Sequence, residues 1–404
     1  MSTSLIYHAL GVHGYLYVRS FYKKGKVFFH IRNHPGKVQC PDCHSRQVIS
    51  KGTKTRYFKS LPIGKKPVIL VASLQRIECK VCHCIKQVTI DFAEPKKTYT
   101  RAYARYALEL LKFSTIQDVA NHLGASWDTI KEIQKEYLSR HFGEPELKDI
   151  TKIAIDELSI GKAHKYITLV LDLDTGAVVF IGDGKGADSL DPFWKKLKES
   201  KASIAAVAID MSPAYIQAVR TNLPKAKIVF DHFHLIKYFN DKLADLRRQL
   251  YNETIDKAQS QELKGLRWIL LKNPENLDQD KDEKERLEKA LKVNKPLAAA
   301  YYLKEDLRQF WKQENKKMAA AYLKAWIAKA QSSGITMLMK FAKTVAAHRT
   351  GILAYYDYPI STGPLEGTNN KIMTMQRQSY GFRDKEFFKL KIYAIHCSRY
   401  ALIG

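Results

Sequence analysis

The sequence lacks long apolar runs, and this absence limits where the protein can work. No stretch approaches the roughly 20 uncharged apolar residues that a membrane-spanning helix needs, and the N-terminus has no basic-then-apolar signal segment. We also find no internal repeat and no long low-complexity tract. These absences predict a cytoplasmic protein without a membrane partner.

Acidic residues are scarce in the first quarter of the chain. Residues 1–100 contain 18 Lys and Arg against 4 Asp and Glu, and the whole chain of 404 residues has a formal net charge of +26. Such an excess favours a polyanionic partner, because neutralising phosphate groups releases counterions. The charge therefore predicts a nucleoid-associated protein that binds nucleic acid, and the length leaves room for two or three domains.

Cysteine is rare outside one segment, since five of the six cysteines lie between Cys40 and Cys84. Cys40 and Cys43 form one C-x-x-C pair, and Cys79 and Cys82 form a second pair after 35 intervening residues. In a reducing compartment, two such pairs favour a tetrahedral Zn²⁺ site over disulfides. The pattern predicts a zinc ribbon with one structural Zn²⁺ on Cys40, Cys43, Cys79 and Cys82.

The sequence leaves the ligand set of this zinc site open. Cys84, His44 or His83 could replace one of the four cysteines, and buried free cysteines are the plain alternative. A redox dithiol is less favoured, because no thioredoxin-like βαβ pattern surrounds either pair. The sixth cysteine, Cys397, is expected in the core of a C-terminal helix.

Hydrophobic periodicity changes along the chain and predicts a multidomain α/β protein. Residues 1–97 are rich in β pattern, residues 98–142 have helical spacing, residues 152–231 mix both, and residues 234–350 are helical throughout. Within the mixed part, Asp174-Thr175-Gly176 predicts the turn of a β-hairpin. Three tryptophans of the helical block are expected in its core: Trp268, Trp311 and Trp326.

Residues 114–133 fit the template of a helix-turn-helix. Gly124 suits the tight turn, and Ser126 can cap the second helix. An ordinary helical hairpin is the alternative, but the basic flanks favour a DNA-binding unit. The second helix would present four side chains to a groove of DNA: Trp127, Asp128, Thr129 and Lys131.

Three apolar runs of strand length end on an aspartate, namely Asp156, Asp210 and Asp231, and Glu366 follows far downstream. If the strands are parallel neighbours, their carboxylates collect at one edge of the sheet, where α/β sites are usually built. Clustered carboxylates repel one another unless a cation lies among them, and their hard oxygens suit Mg²⁺ or Mn²⁺.

A ribonuclease-H-like mixed sheet would organise these acids. Its first and fourth strands are neighbours that each deliver a carboxylate, and a late helix brings a third. We therefore predict Asp156, Asp210 and Glu366 as a catalytic triad that holds two metal ions. Asp231 remains undecided: with His232 and His234 it begins a helix, and a structural role is as plausible as one beside the metal.

Together these motifs resemble the DDE transposases of bacterial insertion sequences, in particular the ISL-three group. The resemblance covers nearly the whole chain and is most specific in the cysteine pairs, the helix-turn-helix and the segments 208–215, 229–236, 363–372 and 377–383. It implies a zinc ribbon and a helix-turn-helix, followed by a ribonuclease-H-like catalytic domain that a helical insertion splits. The implied boundaries are 1–97 (zinc ribbon), 98–148 (helix-turn-helix), 149–235 (first catalytic part), 236–350 (insertion) and 351–404 (second catalytic part, with Glu366).

The resemblance also implies an activity. Members bind the terminal inverted repeats of an insertion sequence, and with a divalent metal they cleave and transfer DNA strands. Asp156, Asp210 and Glu366 take the three catalytic acid positions. Because two ends of double-stranded DNA must be processed and one chain has one active site, a homodimer or larger assembly is expected.

One departure from the family pattern concerns the segment after Glu366. Met373 and Gln376 stand where members often have lysine, whereas Lys371 and Arg377 remain as expected phosphate contacts. Two rival functions share some of these features. A DNA-binding regulator or domesticated transposase without catalysis would not need the acids, and a structure-specific nuclease would not need two DNA-binding modules.

Overall fold

The computed structural model describes residues 5–161, 165–253 and 263–396. The chain divides into two compact units. The first consists of Met1–Glu144 with Phe382–Gly404, and the second consists of Pro145–Gly381. The segment 351–404, which we predicted as one catalytic part, is therefore divided between the two units at Phe382.

Strands and helices are numbered in chain order along the described residues. The strands are β1 (Tyr15–Lys23), β2 (Lys26–Asn33), β3 (Val48–Ile63), β4 (Lys66–Cys79), β5 (Ile85–Gln87), β6 (Lys152–Gly161), β7 (Lys165–Asp172), β8 (Val178–Asp183), β9 (Ala206–Ile209) and β10 (Lys227–Phe230). The helices are α1 (Leu5–Leu10), α2 (Arg101–Leu110), α3 (Ile116–Leu123), α4 (Trp127–Phe142), α5 (Asp191–Ser200), α6 (Pro213–Asn222), α7 (His232–Glu253), α8 (Arg267–Leu271), α9 (Glu283–Val293), α10 (Lys295–Arg308), α11 (Lys316–Ser332), α12 (Thr336–Ala347), α13 (Arg349–Leu353), α14 (Gly363–Gln378) and α15 (Lys385–Tyr393).

The first unit contains a sheet with the strand order β1-β2-β4-β3, and β5 pairs with the C-terminal end of β4. The pairs β1–β2, β3–β4 and β4–β5 are antiparallel, whereas β2 and β4 are parallel. Apolar side chains of β4 alternate into a core with Phe58 of β3, because successive residues of a strand point to opposite faces. The buried members on β4 are Val68, Leu70, Ala72 and Leu74.

The second unit contains a five-stranded sheet with the order β10-β9-β6-β7-β8. The strands β6, β7 and β8 form an antiparallel meander, and β9 and β10 continue the sheet in parallel with β6. The helices α5 and α6 precede β9 and β10 in the chain, so they supply the crossovers that parallel strands require. This topology confirms the predicted ribonuclease-H-like mixed sheet.

The helices α7 to α13 share a continuous apolar core with this sheet. Gly351 allows α13 to approach β10 closely, because a Cβ atom at this position would lie 2.4 Å from the ring of Phe230. Trp326 is buried as predicted, and its indole donates to the carbonyl of Leu303 at 2.9 Å. The core prediction is wrong for Trp268, which is 67% exposed.

Trp268 can remain exposed because it lies on the short helix α8, where the guanidinium of Arg267 covers one face of its ring. Trp311 is intermediate, since it packs against the edge of the core. Among the described helices, none is both long enough and apolar enough to cross a bilayer.

Candidate functional site

Two of the predicted catalytic acids lie at the same edge of the second sheet. The strands β6 and β9 run parallel with Ala154 opposite Ala208. Asp156 and Asp210 each follow that pair by two residues, so they lie on the same face of the sheet. Asp210 comes directly after β9, whereas Asp156 lies within β6, which continues beyond the end of β9 to Gly161. The apolar runs before each aspartate fold as buried strand because both faces of this central sheet are covered.

The carboxylate of Asp156 is held by two donors. Its Oδ1 accepts from the backbone N–H of Glu157 at 2.8 Å, and its Oδ2 accepts from the Asn369 side chain at 3.0 Å. Burial raises the pKa of Asp156 above its usual range, and the negative charge of Asp210 adds to this rise. His234 acts in the opposite direction. The structure thus concentrates negative charge at a partly buried position.

Glu366 lies in the first turn of α14, where a carboxylate interacts favourably with the helix dipole. It is exposed, whereas Asn369, one turn later on the same helix, contacts Asp156. Within the described ranges, groups of three or more ligand side chains with atoms within 4.8 Å of one another occur only around the cysteines. Asp156, Asp210 and Glu366 therefore do not form so tight a group, although the helix of Glu366 contacts Asp156 through Asn369.

Asp231 lies beside these acids but in a different environment. Because Phe230 pairs with Ile209 on β9, Asp231 is level with Asp210 across the parallel strands. Its carboxylate is almost fully buried, and its Oδ2 accepts from the hydroxyl of Thr362 at 2.8 Å. The nearest ring nitrogens of His232 and His234 lie 3.4 and 4.0 Å from its two oxygens.

Three polar residues of this edge escaped the sequence prediction. Asn369 was detectable, because it follows Glu366 by three residues and so shares its helix face. Thr362 precedes α14 and carried no pattern of its own. Glu157 is tied down by the hydroxyl of Tyr215 at 2.6 Å and the N–H of Gly186 at 3.1 Å, which makes it a structural acid beside Asp156.

The helix α14 also carries the two predicted phosphate contacts, Lys371 and Arg377, at exposed positions. Gln376, at a position where members of the resembled group often have lysine, donates to the carbonyl of Ile160 at 3.2 Å. This departure therefore has a structural use, since the amide fixes α14 to the end of β6.

The predicted zinc ligands converge in the first unit. The Sγ atoms of Cys40, Cys43, Cys79 and Cys82 lie within 4.8 Å of one another. The contacts Cys40–Cys82 and Cys43–Cys79 are both 3.5 Å, close to the roughly 3.8 Å edge of a tetrahedron with Zn–S bonds of about 2.3 Å. Four thiols at this spacing fit a structural Zn²⁺. The sixth cysteine, Cys397, lies outside the described residues.

Each cysteine pair forms the same turn. His44 and His83 follow the two pairs in left-handed conformation, and neither belongs to the ligand group. The N–H of Cys43 is the main cause that lowers the pKa of Cys40 to about 6, and the N–H of Cys82 likewise lowers that of Cys79. Backbone donors thus favour the thiolate form that zinc requires.

Cys84 lies beside this group as an additional thiol. Its Sγ is 3.3 Å from that of Cys40, and it forms a second, smaller group with Asp42 and Cys82.

The predicted helix-turn-helix consists of α3 and α4. Thr115 and Asp118 form a reciprocal capping box at the start of α3. Gly124 ends that helix at φ +57°, a conformation that glycine adopts without steric cost. Ser126 caps α4 by accepting from the N–H of Thr129 at 3.2 Å. Trp127, the first residue of α4, is 42% exposed.

The C-terminal helix α15 packs against α4 within the first unit. Phe387, Leu390 and Ala394 form an apolar cluster with Leu138 of α4. Asp384, the N-cap residue of α15, forms ion pairs with two lysines of α4. These are Lys131 at 2.9 Å and Lys135 at 3.2 Å. Lys131, one of the predicted DNA contacts, therefore already has a carboxylate partner.

Family models match three parts of the chain. They describe a transposase over residues 153–392, the zinc-finger of the transposases IS204, IS1001, IS1096 and IS1165 over residues 36–82, and the helix-turn-helix domain of transposase family ISL3 over residues 88–138. The chain belongs to the transposase family ISL3. The predicted family is thereby confirmed, as are the zinc ribbon and the helix-turn-helix.

Individual relatives agree with this membership. The chain is 32% identical over 358 residues to a transposase for insertion sequence element IS1001 from Bordetella parapertussis, covering 88% of each chain. It is 28% identical over 364 residues to a transposase for IS1557 from Mycobacterium tuberculosis, covering 83% of this chain and 80% of the relative.

Among solved structures, the Drosophila P element transposase strand transfer complex aligns over 74% of this chain and 92% of that chain, with a TM-score of 0.42 and 9% identity. The family models and the relative from Bordetella parapertussis show that the chain is a DNA-binding transposase, an enzyme that cuts and joins DNA.

Proposed function

We propose that this transposase cleaves and transfers DNA strands at a DDE-type active site formed by Asp156, Asp210 and Glu366. The observation that carries the proposal is the register of β6 and β9, which brings Asp156 and Asp210 to one sheet edge. The contact from Asn369 to Asp156 adds the helix that bears Glu366. Each of the three acids comes from a different element.

The donor set at this edge fits hard divalent cations. Carboxylate oxygens are preferred ligands of Mg²⁺ and Mn²⁺. The pKa of Asp156 is raised by burial and by the charge of Asp210, although His234 acts in the opposite direction, so the carboxylate would be stabilised by a bound cation. When bound, two such ions would activate water or a 3′-hydroxyl and stabilise the leaving oxygen.

The side chains around this edge have separable tasks in the proposed mechanism. The N–H of Glu157 and the amide of Asn369 orient the carboxylate of Asp156. Lys371 and Arg377 contact DNA phosphates on the exposed side of α14. No protein nucleophile is needed, because water and the freed DNA end attack the phosphodiester.

The first unit recognises the terminal inverted repeats in this proposal. The N-terminal residues of α4 enter the major groove, as the second helix of a helix-turn-helix does. Trp127, Asp128 and Thr129 lie in its first turn. A contact from Lys131 to DNA requires that its ion pair with Asp384 opens. The enzyme acts as a homodimer or larger assembly, so that two ends are processed together.

The test is metal-dependent cleavage of a DNA fragment that carries the inverted repeats flanking the gene. Wild type is compared with Asp156→Asn, Asp210→Asn and Glu366→Gln, and binding of the same fragment is measured by gel shift. We expect wild type to cut at the repeat boundary only with Mg²⁺ or Mn²⁺, and each variant to bind without cutting.

The matched control is Asp174→Asn, which removes a carboxylate from the turn at the opposite end of the β6–β7 pair, where Asp174 bonds Thr151 and Lys152. It should cut like wild type. If wild type binds the repeats but does not cut them whichever divalent metal is added, the protein is a DNA-binding regulator. If a triad variant still cuts at the wild-type rate, the triad assignment is wrong.

A further inference from the structure

The first unit contains a cationic cleft that the proposed function leaves unused. It has a volume of about 320 Å³ and lies where the β3–β4 hairpin meets the turn of the helix-turn-helix. Three lysines line it: Lys26 at the start of β2, Lys59 on β3 and Lys65 at the tip of the β3–β4 hairpin. None of the described residues that line it carries a carboxylate.

The positive charge of this cleft is not neutralised within the described part of the chain. None of the three lysines forms an ion pair there, whereas Lys51, on the same strand as Lys59, pairs with Glu78 at 2.7 Å. The pKa of Lys59 is lowered, first by burial and then by the charge of Lys26. The cleft therefore holds like charges close together, an arrangement that a bound anion would stabilise.

Two neutral hydroxyls on the wall of the cleft have unused hydrogen-bonding capacity. Ser60 Oγ and Tyr103 Oη are buried and have no hydrogen-bond partner among the described residues. Burial raises the pKa of Tyr103 to about 12, so its hydroxyl keeps its proton at physiological pH. Buried hydroxyls are normally hydrogen-bonded. Two buried hydroxyls without a partner beside lysines therefore indicate a polar ligand that would bind here.

The position of the cleft indicates which anion it receives. The ammonium of Lys59 donates to the carbonyl of Gly124 at 3.0 Å, and His122 and Gly124 contribute to the lining. Gly124 precedes the N-cap residue of α4, Ser126, by two positions. The cleft thus lies beside the end of α4 that enters a DNA groove in the proposed function, where a backbone phosphate of the same duplex passes.

We propose that this cleft is a phosphodiester-binding site, in which Lys26, Lys59 and Lys65 hold one backbone phosphate of the duplex that α4 reads. The inference rests on the proposed DNA-binding role of α4 and adds a second, sequence-independent contact to it. The hydrogen bond from Lys59 to Gly124 holds the phosphate site at a fixed distance from the start of α4. A phosphate bound in the cleft would therefore fix the position of α4 along the DNA.

The test measures how the dissociation constant of the full-length protein for a labelled 20-bp duplex depends on the KCl concentration. Wild type is compared with Lys65→Gln and Lys26→Gln, and Lys51→Gln is the matched control, because it removes the same charge from the same sheet outside the cleft. We expect each cleft variant to lower the slope of log Kd against log[KCl] by up to about 0.9, the value for loss of the one phosphate contact. At 0.1 M KCl, each should weaken binding by roughly fivefold to tenfold.

Two further measurements keep the outcome unambiguous. Melting temperature and zinc content, which should equal those of wild type, exclude unfolding of the Lys65→Gln and Lys26→Gln proteins. Inorganic phosphate is then compared with chloride at equal ionic strength, to distinguish a site for free phosphate from a site for DNA. Lys59→Gln is kept as a secondary variant, since it also removes the bond to Gly124.

The proposal is overturned if the cleft variants and Lys51→Gln all retain the wild-type slope. It is also overturned if phosphate protects wild type, but not Lys65→Gln, against heat while the DNA slopes remain equal, because the cleft would then serve free phosphate. If wild type itself does not bind the duplex, the proposed DNA-binding function fails, which is a different result.

Discussion

The carboxylate of Asp156 should destabilise the metal-free protein while it supports activity, and Asp156→Asn separates the two effects. The substitution keeps the shape of the side chain. Its new amide can also keep both contacts, because the Oδ1 of Asn369 has no hydrogen-bond partner among the described residues and becomes an acceptor when that side chain flips. The N–H of Glu157 continues to donate to the remaining oxygen.

The change therefore removes a partly buried charge and its repulsion by Asp210 without losing a hydrogen bond. We expect the variant to be more stable than wild type by on the order of 1 kcal/mol in magnesium-free buffer at pH 7. For a unit of this size, such a gain raises the melting temperature by about 2–4 °C.

The pH dependence follows from the raised pKa of Asp156. Above its folded-state pKa, wild type carries the full cost of the buried charge. As the pH falls through that value, the folded protein binds a proton that the unfolded chain does not yet bind, so wild type gains stability. The difference between wild type and Asp156→Asn should therefore shrink between neutral pH and about pH 4.

Magnesium should reverse the order of stability. A cation that binds the folded wild type at 100 times its dissociation constant adds about 2.7 kcal/mol, and the variant should gain much less. The assay is thermal unfolding followed by circular dichroism, with and without Mg²⁺. The reasoning is refuted if Asp156→Asn is less stable than wild type in magnesium-free buffer at pH 7, or if Mg²⁺ raises both melting temperatures equally.

Three further predictions concern the zinc site, α15 and the buried aspartate. Cys84→Ser should retain one zinc per chain by metal analysis, because four other thiols form the ligand group; loss of the zinc would make Cys84 a ligand. Asp384→Asn should reduce the free energy of unfolding of the first unit by a few tenths to about 1 kcal/mol, which is measured as a lower melting temperature. The N–H of Phe387 and then Lys131 lower the pKa of Asp384, so the difference in melting temperature between wild type and Asp384→Asn should vanish as the pH falls through that lowered pKa. A difference that stays the same in acid would contradict this prediction. Thr362→Val removes the donor to Asp231 and should cost about 1–3 kcal/mol in the free energy of unfolding, measured by urea titration, whereas an unchanged free energy would mean that this hydrogen bond does not stabilise the fold.

The sequence predicted that Asp156 and Asp210 lie together because both follow apolar runs of a covered sheet. The expected strand end is wrong for Asp156, since β6 continues past it to Gly161, whereas β9 does end directly before Asp210. Parallel neighbours then bring those charges together, as Asp156 and Asp210 show. The identity of the catalytic acids remains a prediction, since the geometry of the sheet edge does not choose between Asp210 and Asp231.

Other features were invisible because long-range contacts decide them. The strand β3 was not singled out, since most of its first nine residues are exposed and polar and only its far end, near Phe58, joins the core. Trp268 is a large aromatic residue of the kind that usually packs in a core, but on its short helix it is exposed to solvent. Likewise, no local pattern in Phe382–Tyr393 indicates that this segment leaves the second unit and packs in the first.

That departure of the chain has a consequence for the order in which the protein can fold during synthesis. Phe387 and Leu390 of α15 cover Leu138 of α4, and the entire second unit is translated between them. A ribosome-bound chain that has already completed the sheet with Asp156 and Asp210 still lacks the partner of α4. Domains otherwise tend to fold one after another from the N-terminus, but here the C-terminal half of α4 stays without its apolar cover until the last segment of the chain has been translated.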